Sequence, residues 1–598
     1  MQSLARMFLI TMIGIVLLSF SAFAGDKIGA RLSKVLEGIG PNDEVVVWVY
    51  FTDKGSHEFA KSSVPESVVS DRSIRRRLKV RHRDEVVDYT DLPVEQTYLD
   101  RVASHVVKVR HRSKWFNSVS VCATKNQINE LVALSIVKKI ELLARFKKNN
   151  SEIETPRTPN EGGLKSPQER KENYSFDYGP SLGQLAQISV PEVHNTGNYA
   201  QGVIVGVFDN GFRLLTHEAF DSLDIIATYD FVDHKVSVVP NHPGHGGHGV
   251  NTLSTIGGFK EGQLIGPAFG ASYILARTEN DSSETPIEED NWVAAIEWAD
   301  SIGVEVTSTS LGYLTYGPPY TSWTWEDMNG NTTVITRAAD MAVARGIVVL
   351  NSAGNEGNNP SHNTLIAPAD GDSVISVGAV SPSGTRVSFS SVGPTTSMPP
   401  RIKPDVMAQG SSVRVASSIN PTGYSSFASG TSFSCPLAAG VTALIVHARP
   451  NATPIEIGDA MRLTASNAGS PNNLMGWGIL NAVEAINFIS TTGIKETPTT
   501  PTAFKLEQNF PNPFNPTTNI RYELPKAAFV TLTIYDVLGR EVRKLVNERQ
   551  SAAIRSLTWD GTNNLGKAVA SGVYLYRLSS VNDNGETFSD ARRMILLQ

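Results

Sequence analysis

A chain of 598 residues, 40% of them hydrophobic and 19% charged, is far longer than one domain of roughly 100–200 residues. Its net charge of −6 provides no cationic footprint for nucleic acid, and no nucleic-acid partner is expected. Two distant cysteines, Cys122 and Cys435, exclude a disulfide scaffold.

Met1–Ala24 has the pattern of a targeting segment. Arg6 supplies a positive start, Met7–Phe20 an apolar core, and Ala22-Phe23-Ala24 a small-x-small cleavage signal. The core falls short of the roughly 20 apolar residues of a membrane span, so export with cleavage before Gly25 is expected. Residues 25–148 read as a small α+β unit. Its strands are Glu44–Phe51, Trp115–Val121 and Val137–Leu143, and Thr124–Leu134 is a helix. The arginine-rich stretch Asp71–Asp84 is expected to be a solvated helical face. Residues 149–177 lose all periodicity and read as a linker open to proteolytic nicking.

Residues 178–489 alternate short apolar strands with helices. The strands are Gly202–Phe208, Ser272–Ala276, Gly303–Ser308, Gly346–Leu350 and Val374–Val377, with helices at Trp292–Ser301 and Val334–Arg345 between them. Such alternation predicts an α/β domain, a mostly parallel sheet with helices on both faces and functional groups at the carboxyl ends of its strands. Asp209, Ser310 and Asn355 fall at or just past those ends. Residues 490–504 form a second, proline-bearing linker, and 505–598 read as a small all-β sandwich.

The chemistry concentrates in four motifs: Asp209-Asn210-Gly211, His248-Gly249, Gly354-Asn355-Glu356-Gly357 and Gly430-Thr431-Ser432. Ser432 opens a small-residue helix, where unpaired N–H groups and the helix dipole favour developing negative charge, although serine there can also be an ordinary cap. A serine nucleophile needs an imidazole base, the imidazole needs an orienting carboxylate, and a side-chain amide can donate to the oxyanion.

In that order these motifs resemble the subtilisin family of serine peptidases. The resemblance implies Ser432 as nucleophile, His248 as general base, Asp209 as its orienting carboxylate and Asn355 as oxyanion donor. It further implies that Ser310, Leu311, Gly312 and Gly354 bind substrate. The family's pattern has a hydroxyl residue after the aspartate and a threonine after His-Gly; here Asn210 and Val250 take those places. The reading is a secreted serine endopeptidase acting on proteins or peptides, made as a pre-pro-enzyme and expected to be a monomer. The alternative is a catalytically weak or inactive peptidase fold serving as a binding protein on the cell surface. No cofactor is required; calcium is a common structural ion of the family, yet no loop here has convincing ligand spacing.

The N-terminal unit resembles the inhibitory prodomain of these peptidases. The C-terminal unit resembles the sorting domain of the type IX secretion system of Gram-negative bacteria, through Leu506–Pro516, Val530–Gly539, Gly572–Tyr576 and Arg592–Leu597. A generic adhesion or carbohydrate-binding sandwich is its alternative. Three other signals carry less. Gly179-Pro180-Ser181-Leu182-Gly183 matches a nucleophile elbow without a preceding strand. His242, His245 and His248 lie in a glycine loop that does not present them on one helix face, and Cys435 reads as a buried helix residue.

Overall fold

The structure, a computed structural model, describes residues 27–62, 68–145, 174–491 and 504–596, apart from 243, 283–284, 317–319, 321, 360, 507, 510–511, 513, 515, 552 and 583–584. The expected leader and most of both linkers lie outside the described residues. The chain divides into two compact units at Thr492/Gly493.

The first unit begins with a four-stranded antiparallel sheet: β1 (Glu44–Phe51), β2 (Lys108–Ser113), β3 (Ser118–Thr124) and β4 (Val137–Arg145), in the order β2-β3-β1-β4. The Val, Trp and Phe side chains of β1 are buried, which suits it to the centre of the sheet. The expected strand at Trp115 starts three residues late, because Asn117 adopts a positive φ of 48° and turns the chain between β2 and β3. The helix at Lys125–Ala133 follows its expected course, with Thr124 and Gln127 forming a reciprocal capping box.

Behind it lies a seven-stranded sheet whose paired strands are all parallel. Its strands are β5 (Ile204–Asp209), β6 (Asp224–Asp230), β7 (Ser272–Arg277), β8 (Val306–Thr309), β9 (Val348–Ser352), β10 (Ile375–Val380) and β11 (Val406–Gln409). Their order is β11-β10-β9-β8-β5-β7-β6. The five strands expected from sequence are all present, with β6 and β11 in addition. A first core holds α1 (Gly247–Gly257) and α2 (Thr431–Ala448) against the sheet. A second holds α3 (Ile287–Ile302) and α4 (Val334–Val343). Helix α2 is long and apolar enough to cross a membrane, but it is mostly buried inside this unit and is its core helix. Small residues permit that position: a Cβ on Gly440 would lie 2.2 Å from Pro267. Residues 174–177, expected in the linker, join this unit through Phe176, whose ring meets those of Phe259 and Phe269 edge-on.

The second core is shared. Val46, Trp48 and Leu143 of the antiparallel sheet, with Trp115 of the turn between β2 and β3, belong to the same apolar cluster as α3 and α4. Polar contacts frame it: His111 meets Asn291 at 2.9 Å, Ser120 donates to Asp290 at 2.6 Å, and the Lys114 backbone donates to Glu297 at 3.0 Å.

The arginine-rich stretch corrects the expectation of a solvated face. The helix Asp71–Arg77 lies against the ends of α3 and α4, and Arg76 and Arg77 are 1% and 0% exposed. Arg77 chelates Asp91 through two bonds of 2.7 and 2.8 Å and reaches Asp300 at 2.5 Å; Arg76 pairs with the other oxygen of Asp300. Burial pushes the Asp300 carboxyl up, but Arg76, Arg77 and Arg345 outweigh it and hold it below the ordinary range. Removing one partner from such a network leaves a buried charge uncompensated. Asp300→Asn should therefore destabilise the unprocessed chain by about 3–5 kcal/mol, read as a lower denaturant midpoint. An unchanged midpoint would show that the network contributes nothing net.

The second unit is all-β. Thr518–Leu524 pairs with Lys505–Leu506 and Ala553–Trp559 in one antiparallel sheet. Glu541–Gln550, Ala528–Asp536, Gly572–Asn582 and Thr587–Leu596 form a second, in that order. Alternating burial along Gly572–Asn582 places Tyr574, Tyr576 and Leu578 in a common core with Trp559 and Phe514.

Candidate active site

The parallel sheet delivers three of the expected residues by chain geometry alone. Asp209 is the last residue of β5, Ser310 follows β8, and Asn355 lies three residues beyond β9. Neighbouring parallel strands end together, so these positions converge.

Asp209 is fully buried and has three donors. Its Oδ1 accepts from His248 Nδ1 at 2.7 Å and from the Asn210 backbone at 2.9 Å, and its Oδ2 accepts from Thr252 Oγ1 at 2.8 Å. A carboxylate held this way fixes the imidazole it faces, leaving His248 Nε2 as the ring nitrogen without that partner. Burial lowers the affinity of His248 for a proton. The charge and hydrogen bond of Asp209, joined by the charge of Asp281, outweigh that and raise its pKa above the ordinary imidazole value.

Ser432 is the second residue of α2 and largely buried. It exchanges two contacts with Ser310: Ser310 Oγ donates to the Ser432 carbonyl at 2.7 Å, and Ser432 Oγ donates to the Ser310 carbonyl at 3.1 Å. The Ser432 hydroxyl thus rests on Ser310 and not on His248, although the His248 ring lies 5.9 Å from that of Phe433, the next residue along α2. Without substrate, such bonds are often unmade.

Asn355 turns its oxygen toward α2, accepting from Thr431 N at 2.9 Å and from Thr431 Oγ1 at 3.1 Å. A Cβ built on Gly430 would lie 3.7 Å from both Asn355 Nδ2 and Ser432 N, so two donors border the bare face of this glycine. Gly430 has a φ of +148°, which disfavours any side chain. Convergent N–H groups of this kind suit an oxyanion.

Two supporting residues escaped sequence reasoning. Thr252 stands one turn after His248 on α1, so the i, i+4 spacing was its available signal. Asp281 accepts from the Gly246 backbone at 2.6 Å and from the Asn210 amide, and only the folded chain brings it there. The two departures are also accounted for. Asn210 accepts from the Gly249 backbone at 3.1 Å, tying the Asp209 loop to α1, and Val250 is a fully buried core residue.

The remaining signals separate from the site. His245 lies 4.0 Å from Asp281, with no contact to Asp209. Among the described residues no group of three or more His, Cys, Asp or Glu side chains is disposed to hold a metal ion. Ser181 is buried, donating to the Tyr178 carbonyl at 2.7 Å and accepting from Ile265 N at 3.0 Å, which makes it a structural hydroxyl. Burial pushes the Cys435 thiol up to about 12, so it is not a thiolate nucleophile at neutral pH.

A parallel α/β sheet with an Asp–His pair and a helix-borne serine at its carboxyl edge belongs to the serine hydrolase class. The comparisons narrow this. Residues 200–478 match the Subtilase family, residues 46–158 the Peptidase S8 propeptide domain of Bacteroidota, and residues 513–584 the FlgD Ig-like domain. The chain is 30% identical over 317 residues to Subtilisin NAT of Bacillus subtilis subsp. natto, covering 53% of this chain and 74% of that one. It is 30% identical over 302 residues to the Subtilisin of Bacillus pumilus, covering 50% of this chain and 97% of that one. The chain belongs to the subtilase family and is a serine-type endopeptidase carrying a propeptide.

Proposed function

We propose that Asp209, His248 and Ser432 form the catalytic triad, with Asn355 and the Ser432 backbone N–H as the oxyanion hole. The observation that carries this reading is the 2.7 Å bond between buried Asp209 and His248, whose ring lies 5.9 Å from that of Phe433 at the start of α2. On substrate binding the Ser432 hydroxyl leaves the Ser310 carbonyl and gives its proton to His248 Nε2 as Oγ attacks the peptide carbonyl. The oxyanion takes hydrogen bonds from Asn355 and Ser432 N–H. His248 then protonates the departing amine, and water, deprotonated by the same nitrogen, hydrolyses the acyl-enzyme. These side chains and the hydrolytic water supply every proton and electron pair, so the reaction as proposed needs no cofactor.

A fluorophosphonate probe tests this reading. It should label wild-type enzyme on Ser432; an unlabelled, folded wild-type chain would favour the inactive binding-protein alternative. Asn355→Ala should lower kcat by about 10²–10³-fold with little change in KM, the scale of losing one oxyanion donor in a subtilisin, because the amide acts on charge present only in the transition state. A loss confined to KM would make Asn355 a substrate-positioning residue.

We further propose that the chain is exported and that residues 505–598 are a type IX sorting address. The Asn-Pro-Phe-Asn-Pro entry, the antiparallel architecture and a position outside the catalytic unit support this. In a host with that system, removing 503–598 should leave active enzyme in the periplasm. Truncated enzyme in the medium, or loss of its activity in solution, would make the unit structural or substrate-binding instead.

A further inference from the structure

The two segments that meet Ser432 and its neighbour both run into glycine. Ser310, whose carbonyl accepts the Ser432 hydroxyl, leads to Gly312; Asn355, which holds Thr431, is preceded by Gly354. A substrate carbonyl attacked by Ser432 must come within roughly 3–3.5 Å of Oγ, with its oxygen turned to Asn355 and Ser432 N–H. The side chain on the residue bearing that carbonyl then projects between these two segments. Glycine on both sides leaves room there for a large side chain.

The room is taken by Ile366. A Cβ on Gly312 would lie 2.3 Å from Ile366 Cδ1 and 2.6 Å from its Cγ1, and a Cβ on Gly354 would lie 3.1 Å from Cγ2 and 3.3 Å from Cδ1. One isoleucine side chain therefore packs against both glycines. It is half-buried, as the lining of a cleft would be, between the fully buried residues Leu365 and Ala367. Its backbone cannot readily withdraw. Tyr313 and Ala367 exchange N–H···O=C bonds of 2.9 Å in each direction, and Ala369 N donates to the Ile366 carbonyl at 2.8 Å. The β-branched side chain is also stiff about its first torsion, so its methyls do not swing aside at little cost.

We propose that Ile366 sets the cleavage specificity: it closes the slot between Gly312 and Gly354, so the residue supplying the attacked carbonyl must have a short side chain such as Gly, Ala or Ser. This rests on the assignment of Ser432 as nucleophile.

Two internally quenched peptides, identical except for Ala or Phe before the scissile bond, test the proposal on the autoprocessed enzyme. Wild type should cleave the Ala peptide with a kcat/KM about 100-fold or more above that of the Phe peptide, the discrimination a filled apolar pocket can supply. Ile366→Ala should reduce this ratio at least tenfold, chiefly by improving cleavage at Phe. Ile366→Val, which removes only Cδ1, should fall between them and carries the test if the alanine variant does not fold. A wild-type preference for Phe would overturn the proposal. So would a wild-type ratio in Ile366→Val, or in an Ile366→Ala enzyme that is folded by thermal unfolding and still labelled by the probe. Absence of both labelling and cleavage in wild type would instead overturn the assignment of Ser432, and this inference with it.

Discussion

Replacing Ser432 with alanine should lower kcat by about 10⁶-fold, the scale that loss of the nucleophile reaches in a subtilisin. The oxygen that forms the acyl bond is gone, and no neighbour replaces it: Ser310 offers its hydroxyl to the Ser432 carbonyl, and the Cys435 thiol is buried. The fold should survive, because the only bond lost is that of Ser432 Oγ to the Ser310 carbonyl, worth about 1 kcal/mol. The variant should therefore unfold like wild type while losing probe labelling and peptide hydrolysis. We also expect the propeptide to stay covalently attached, since cleavage between about 149 and 177 is read as autocatalytic. Substantial turnover in the variant would refute the assignment of Ser432. The mature N-terminus arising in an inactive variant would assign processing to another protease.

Asp209→Asn should lower kcat by about 10⁴-fold at neutral pH, since an amide in place of the carboxylate favours the wrong tautomer of His248 and no longer stabilises its cation. The same change should move the pH profile. Only neutral His248 can accept the Ser432 proton, so wild-type activity rises as pH passes upward through its pKa, which Asp209 holds above the usual value of about 6.5. Without that charge the lowering effect of burial prevails, and the acid limb of kcat/KM should shift to lower pH. Stability runs the opposite way. A raised folded-state pKa contributes stability that is fully present below the unfolded value and lost as pH rises through the folded one, so the enzyme becomes active where this contribution fades. A kcat/KM profile flat from pH 5 to 9, or an acid limb unmoved in the variant, would exclude His248 as the base. His245→Ala should leave the profile unchanged, since His245 faces Asp281 and not Asp209.

The chain itself determined the positions of the chemistry. Continuous apolar runs made β5, β8 and β9 legible, and Asp209, Ser310 and Asn355 could be placed at their ends because a buried parallel strand has little other pattern than its apolar run and its polar stop. The small-residue helix after Ser432 was legible for the same local reason. Strand β6 was not: its side chains are mostly half-buried or exposed, so it lacks a continuous run. The arginine cluster of Asp71–Arg77 looked like a solvated face because its countercharge is remote. Arg76 and Arg77 find Asp300 more than 220 residues away, and no local period encodes a partner at that distance. Asp281 is in the same position, since it reaches the site only through the loop after β7. Nor does any spacing in the sequence place Ile366 between Gly312 and Gly354. Which side chains could do chemistry was thus a local property, set by strand ends and helix starts. Which buried charges are paired, and what space is left beside the nucleophile, depended on segments far apart in the chain meeting at van der Waals distance, and only tertiary packing decides that.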